Sequence, residues 1–137
     1  MGQLGEENNI DLDWNQIDTI LLDLDGTILD LNFDLEFWLE YVPKIYSKKN
    51  NISYERAKEI IISKINSQEG KLTWYCLDYW EKELELDIMK LKTDISHLIQ
   101  VHDHALTFLQ RVKEKNKRIY LVTNAHRKGI KLKMKMS

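Results

Sequence analysis

The 137-residue chain is short of the residues that staple, break or anchor a polypeptide: it has one cysteine, one proline and five glycines. A lone thiol, Cys76, excludes an internal disulfide, so any stability must come from packing. No apolar run approaches the roughly 20 residues that a membrane-spanning helix needs, which argues against a membrane partner. Excess charge is missing too: 20 Lys and Arg against 22 Asp and Glu leave a formal net charge of −2. That balance offers no broad basic face, so nucleic acid is not an expected partner and any phosphate must be held locally. The start, Met1-Gly2-Gln3-Leu4-Gly5-Glu6-Glu7, lacks the basic and apolar regions of a secretory signal, and Glu6 stands where a myristoylation pattern needs Ser or Thr. The expected location is cytoplasmic.

What is present suffices for one globular domain, with 43% hydrophobic and 31% charged residues. Residues 1–16 are polar and acidic and read as a loose arm. Residues 17–24 (Ile-Asp-Thr-Ile-Leu-Leu-Asp-Leu) have an apolar centre and read as a parallel strand buried on both faces. Gly26 follows, where a chain leaving a strand often needs a positive φ. From about residue 31 to residue 101 the spacing turns helical. Phe37, Trp38, Tyr41, Val42 and Ile45 share a face that Pro43 should kink or divide. Ser53 is a candidate N-cap for a helix carrying Ala57, Ile60, Ile61 and Ile65. Trp74, Leu77, Trp80 and Leu84 form a third stripe, and Asp87 caps a fourth with Ile88, Leu91, Ile95, Leu98 and Ile99. Ala105, Phe108, Leu109 and Val112 mark a helix ending in basic residues, and residues 119–123 read as a second short buried strand. Strand, helical excursion, helix and strand make a parallel α/β crossover interrupted by an all-helical insertion.

Asp23-Leu24-Asp25-Gly26-Thr27 carries the chemistry. Residues two apart on a strand face the same side, so Asp23 and Asp25 should converge at the carboxyl end of a parallel strand, the edge where open α/β sheets bind ligands. Two neighbouring carboxylates repel unless a cation or a proton offsets them, and a hard divalent ion with oxygen ligands, most often Mg²⁺, meets that need beside a phosphate. One carboxylate can then attack phosphorus while the other transfers a proton. Asp-Gly is also a common turn pair, so the same residues fit a plain turn after a strand.

This segment, after Thr19-Ile20-Leu21-Leu22, resembles the first signature of the haloacid dehalogenase-like phosphatases, and Leu121-Val122-Thr123-Asn124 resembles their second. The resemblance implies Asp23 as nucleophile and Asp25 as acid/base, with Mg²⁺ on the Asp23 side chain and the Asp25 main-chain carbonyl. It further implies Thr123 and the backbone at Asn124 as phosphoryl contacts. The implied architecture is an α/β, Rossmann-like parallel-sheet core at residues 17–32 and 104–137, incomplete here, with a helical cap at residues 33–103. Phe37-Trp38, Leu72-Thr73-Trp74-Tyr75-Cys76-Leu77-Asp78-Tyr79-Trp80, His97 to His102 and Thr123 to Lys128 are similar to the bacterial GMP/IMP nucleotidase branch, implying a purine nucleoside monophosphate as substrate. Within that superfamily phosphoglycolate and sugar phosphates are the alternatives, and a non-catalytic binding remnant is the alternative from outside enzymology.

His126 and Arg127, beside the second signature, are candidates for meeting the phosphate or base. Trp74 and Tyr75 are candidates for stacking a purine, although aromatics at helical spacing also build cores. His102-Asp103-His104, with His97 and His126 nearby, suggests a transition-metal site, but histidines at alternate positions before a helix are more often surface or capping groups, and no cysteine accompanies them. Lys131, Lys133 and Lys135 read as a frayed tail. The resemblance calls for a further basic residue and an acidic pair after the second strand, and residues 130–136 look like neither. The expectation is therefore a truncated chain with little turnover of its own and an unpaired, association-prone sheet edge.

Overall fold

The β-branched and aliphatic run after residue 18 does form a strand, but a shorter one than its apolar pattern suggests. In the computed structural model, which describes residues 11–136, β1 (Thr19–Leu22) pairs in parallel with β2 (Arg118–Leu121), Thr19 opposite Arg118 and Leu22 opposite Leu121. Bonds from Arg118 N–H to the Asp18 carbonyl (2.9 Å) and from Val122 N–H to the Leu22 carbonyl (2.8 Å) close the ladder, so Thr123 lies beyond the strand. The expected burial of both faces is not found. Leu21 is 67% exposed, and Tyr120, Leu121 and Val122 are also open. The reason is that each strand has only one neighbour among the described residues, so no flanking strand or helix layer covers those positions. Of the expected polar arm, residues 1–10 lie outside the described residues, and Trp14–Gln16 forms a 3-10 turn capped by the Asp13 carboxylate.

Beyond β1 the chain reverses tightly. The Leu24 carbonyl accepts from the Ile28 and Leu29 N–H groups (3.0 and 2.9 Å), and Gly26 N–H donates to the Leu29 carbonyl (2.8 Å). Gly26 sits at φ 76°, a conformation that side-chain-bearing residues rarely adopt, and a Cβ there would lie a tight 3.2 Å from the Leu31 side chain, which would have to shift. Leu24 and Leu29 point into a small core with Phe33 and Ile99, which leaves Asp23 exposed and Asp25 half-buried.

Between residues 32 and 98 every regular element is a helix, joined by short turns, as the pattern predicts. α1 (Asn32–Glu36) passes through one π turn (Phe37–Tyr41) into α2 (Val42–Asn50). Pro43 neither breaks nor sharply divides this run. The wider turn, with Val42 N–H bonded to the Phe37 carbonyl, comes just before the residue that has no N–H to give. α3 (Tyr54–Gln68) starts at Ser53, whose hydroxyl oxygen accepts from Arg56 N–H at 3.1 Å. α4 (Leu77–Leu84) buries Leu77, Trp80 and Leu84, but Trp74 falls outside it, in a 3-10 turn over Leu72–Tyr75. α5 (Ile88–Asp94) is capped by Asp87 as expected. Phe37, Val42, Ile61, Leu77, Trp80, Leu84, Ile88 and Leu91 make a second core, and half-buried Ile95 packs against both cores. Among the described residues no helix is long and apolar enough to cross a membrane.

After α6 (Ala105–Glu114) and β2 comes the largest departure from expectation. The lysine-rich end is not frayed: it is α7 (Arg127–Met136), with Gly129 and Lys133 buried one turn apart on the same face. A Cβ on Gly129 would sit 3.5 Å from Leu77, which shows how closely α7 lies against α4.

Candidate active site

β1 ends one residue before Asp23, so the first carboxylate emerges at the carboxyl edge of the parallel pair. Its Oδ1 accepts from Leu24 N–H at 2.8 Å, which fixes the side chain over its own turn. The Asp25 carboxylate is held differently. Lys133 Nζ on α7 lies 2.5 Å from Asp25 Oδ1 and 2.7 Å from Oδ2 of Asp34 on α1, and the lysine side chain is only 6% exposed. Lys92 on α5 approaches the other oxygen of Asp34 at 3.5 Å. The result is an alternating row, Asp25, Lys133, Asp34, Lys92, joining the turn after β1, α7, α1 and α5.

This row is viable in a half-buried place because every charge meets an opposite one. The ammonium of Lys92 also stands over the rings of Phe33, Phe37 and Trp38 at 5.1, 4.6 and 5.7 Å, and Lys133 stands 5.6 Å over Phe33. Burial holds the Lys92 pKa below its ordinary 10.5, with repulsion from Lys133 acting the same way and attraction to Asp34 opposing it. The repulsion that the sequence assigned to a pair of carboxylates is thus met, at Asp25, by a protein ammonium.

The second strand delivers Thr123 and Asn124 to the same edge. Thr123 Oγ1 accepts from Ala125 N–H at 3.1 Å, a local turn that orients the hydroxyl. His126 follows, with Nδ1 accepting from Lys128 N–H (3.2 Å) and Nε2 3.3 Å from Asp78 of α4. Lys128 Nζ takes the other Asp78 oxygen at 2.9 Å, and this ammonium is the main reason the Asp78 pKa lies below its ordinary value.

A cleft of about 510 Å³ gathers these groups. Asp23, Asp25, Asp34, Lys92, Lys133, Thr123, Asn124 and His126 line its polar side, and Leu35, Trp38, Ile65, Trp74 and Tyr75 its apolar side. Trp74 and Tyr75 pack edge to face at 4.8 Å, are partly exposed, and are anchored where Trp80 Nε1 donates to the Trp74 carbonyl at 3.0 Å. Of the residues singled out in the sequence, Arg127 does not line the cleft: it is exposed at the start of α7. Lys92 and Asp34 were not singled out and Lys133 was read as part of a frayed tail, yet all three line it. The one local signal for Lys133 was its spacing four residues after Gly129, which places both on one helical face.

The haloacid dehalogenase-like hydrolase family matches residues 17–135. The chain belongs to that family. It is 36% identical over 126 residues to the GMP/IMP nucleotidase YrfG of Escherichia coli (strain K12), and equally to that of Shigella flexneri. The match covers 92% of this chain and 57% of each relative, so the chain spans just over half the length of these nucleotidases. A haloacid dehalogenase-type phosphatase from Thermococcus onnurineus superposes with a TM-score of 0.74 at 25% identity, over 88% of this chain and 56% of that one. The incomplete parallel core with an inserted helical cap is therefore the family's architecture.

Proposed function

We propose that the cleft is the phosphoryl site of a Mg²⁺-dependent phosphomonoesterase acting on purine nucleoside 5′-monophosphates. The observation that carries the reading is the convergence of Asp23, Asp25 and Thr123 in one cleft whose other wall is aromatic. Asp23 is the nucleophile: its carboxylate oxygen bonds to phosphorus as the ester P–O bond breaks, giving an acyl phosphate. With Oδ1 held by Lys133, Asp25 enters the reaction protonated on Oδ2; it gives that proton to the leaving alkoxide, then takes one from the water that attacks phosphorus, so that phosphate departs and both aspartates return to their starting state. Thr123 and the backbone at Asn124 hold the phosphoryl oxygens. Lys133 has two tasks: it orients Asp25, and it brings a positive charge to the edge where phosphoryl oxygens arrive.

The donor set suits a hard cation in part: Asp23 presents a carboxylate to solvent, whereas one oxygen of Asp25 is already occupied by Lys133. Mg²⁺ would accordingly rest on the Asp23 carboxylate and the Asp25 main-chain carbonyl, and would supply charge neutralisation for the phosphoryl group. On the apolar side, Trp74 and Tyr75 offer faces and edges to a purine, which a phosphoglycolate would not use. The YrfG relatives are named as GMP/IMP nucleotidases, which supports the same substrate class.

The test is capture of beryllofluoride, a phosphoryl mimic, followed by fluorine NMR. Bound signals that require Mg²⁺, vanish in Asp23→Asn and are perturbed by added guanosine are the expected result. Capture that is indifferent to Asp23 would overturn the nucleophile assignment, and perturbation by a sugar but not by guanosine would replace the purine with a sugar phosphate.

A further inference from the structure

Beside the cleft the fold assembles a second set of ligating groups from separate parts of the chain. The Cys76 thiol, the Asp78 carboxylate and the His126 imidazole each offer one atom, and these atoms all lie within 4.8 Å of one another. Cys76 and Asp78 belong to the cap, at the start of α4, and His126 belongs to the loop after β2. The geometry points to a binding site here for a borderline transition ion, of which Zn²⁺ is the type. It uses neither Asp23 nor Asp25 and shares only His126 with the lining of the cleft.

Thiolate, imidazole and carboxylate together are the donor set of zinc rather than of magnesium, which takes oxygen alone. Bonds of about 2.0–2.3 Å place the ligand atoms of a tetrahedral zinc roughly 3.3–3.8 Å apart. The three groups therefore need to close by only about an ångström. Each is available. Cys76 is partly exposed and makes no capping bond with its side chain, and His126 Nε2 already faces Asp78 at 3.3 Å. Three protein ligands leave a fourth position for water or an anion, as in open zinc sites.

Two features oppose the ion and give the inference its distinctive test. Lys128 occupies the second oxygen of Asp78 at 2.9 Å, so zinc must compete with an ammonium. Nε2 must also surrender its proton, and the neutral ring then carries hydrogen on Nδ1, which gives up the bond from Lys128 N–H. Only the first loss lies in the Lys128 side chain, since the N–H belongs to the backbone. Removing that side chain should strengthen the site by freeing the Asp78 oxygen, which a structural role for the Asp78–Lys128 pair alone would not foresee. An occupied site would tie the cap to the loop that carries Thr123 and Asn124, making zinc a brake on movement between them.

The experiment is titration of the full chain with Co²⁺ as a spectroscopic stand-in, followed by displacement with Zn²⁺. The expected result is a thiolate-to-cobalt charge-transfer band in the near ultraviolet, abolished in Cys76→Ser, with affinity lowered about tenfold or more in His126→Ala and raised in Lys128→Ala. Zinc should also slow modification of Cys76 by a thiol reagent. The wild-type spectrum is decisive even where a variant folds poorly, because no other thiol exists in the sequence. Absence of the band, or binding unchanged by Cys76→Ser, overturns the site.

Discussion

Replacing Lys133 with methionine isolates the charge whose position the sequence did not betray. The stem keeps its volume, so packing against Phe33 is largely retained, while Asp25 and Asp34 lose the ammonium they share at 2.5 and 2.7 Å. Removing one partner of a fully buried pair typically costs about 3–5 kcal/mol. Here the carboxylate side chains are 26% and 24% exposed and Lys92 stays near Asp34, so the expected loss is about 2–3 kcal/mol. With a urea slope of about 1.5–2 kcal/mol/M, the unfolding midpoint should fall by roughly 1–2 M. Lys131→Met and Lys135→Met, on exposed positions of the same helix, should stay within about 0.5 kcal/mol of the parent. Asp34→Asn combined with Lys133→Met should cost less than the sum of the two single changes, because the partners are in contact. If all three lysine variants unfold at the same urea concentration as the parent, the lysine-rich end is solvated and the charge row does not hold the site.

Three further outcomes follow from the same structure. Lys92 is held below its ordinary pKa by burial, so the unfolded chain binds more protons in the window between its folded pKa and 10.5; stability contributed by this group rises with pH there, and Lys92→Met should remove that alkaline rise in pH-dependent thermal melts while leaving neutral stability within about 1 kcal/mol. Ser53→Ala removes the oxygen that receives Arg56 N–H and should cost about 1 kcal/mol by urea unfolding, against a few tenths for Ser53→Gly. Trp80→Phe deletes the donor to the Trp74 carbonyl and should expose Trp74, read as increased iodide quenching of tryptophan fluorescence at a stability loss of about 1–3 kcal/mol.

What the sequence made legible was local chemistry. Ser53 and Asp87 announce their helices because a cap is decided by residues three apart, and Gly26 announces a turn because its backbone conformation disfavours a Cβ. Asp23, Asp25 and Thr123 were legible as a motif, and the cleft gathers them. Lys133 was hidden because alternation with Leu132 and Met134 mimics a period of two, while the partners that justify its burial lie 99 and 108 positions away. Cys76 and His126 were likewise unrelated on paper, and the solvent exposure of Leu21 depends on which strands flank it rather than on its own neighbours. Trp74 followed the helical stripe in sequence but leaves it in space, because the chain makes a 3-10 turn before α4 begins.

The pairing of Thr19 with Arg118 has a consequence for how the molecule comes together in time. Closing a flexible loop of about a hundred residues costs roughly 4 kcal/mol in chain entropy before one ladder bond forms. The cap contacts are far more local, with α2 against α3 and α4 against α5 formed by neighbours in the chain. A folded cap brings the two ends of its own segment together, converting that long loop into a short one for the strands. The parallel pair should therefore form late, and the residues that reach across it, Lys133 to Asp25 above all, should be the last to lock and the first to release. Assembly of the edge that carries Asp23, Asp25 and Thr123 would then report that the cap has already folded.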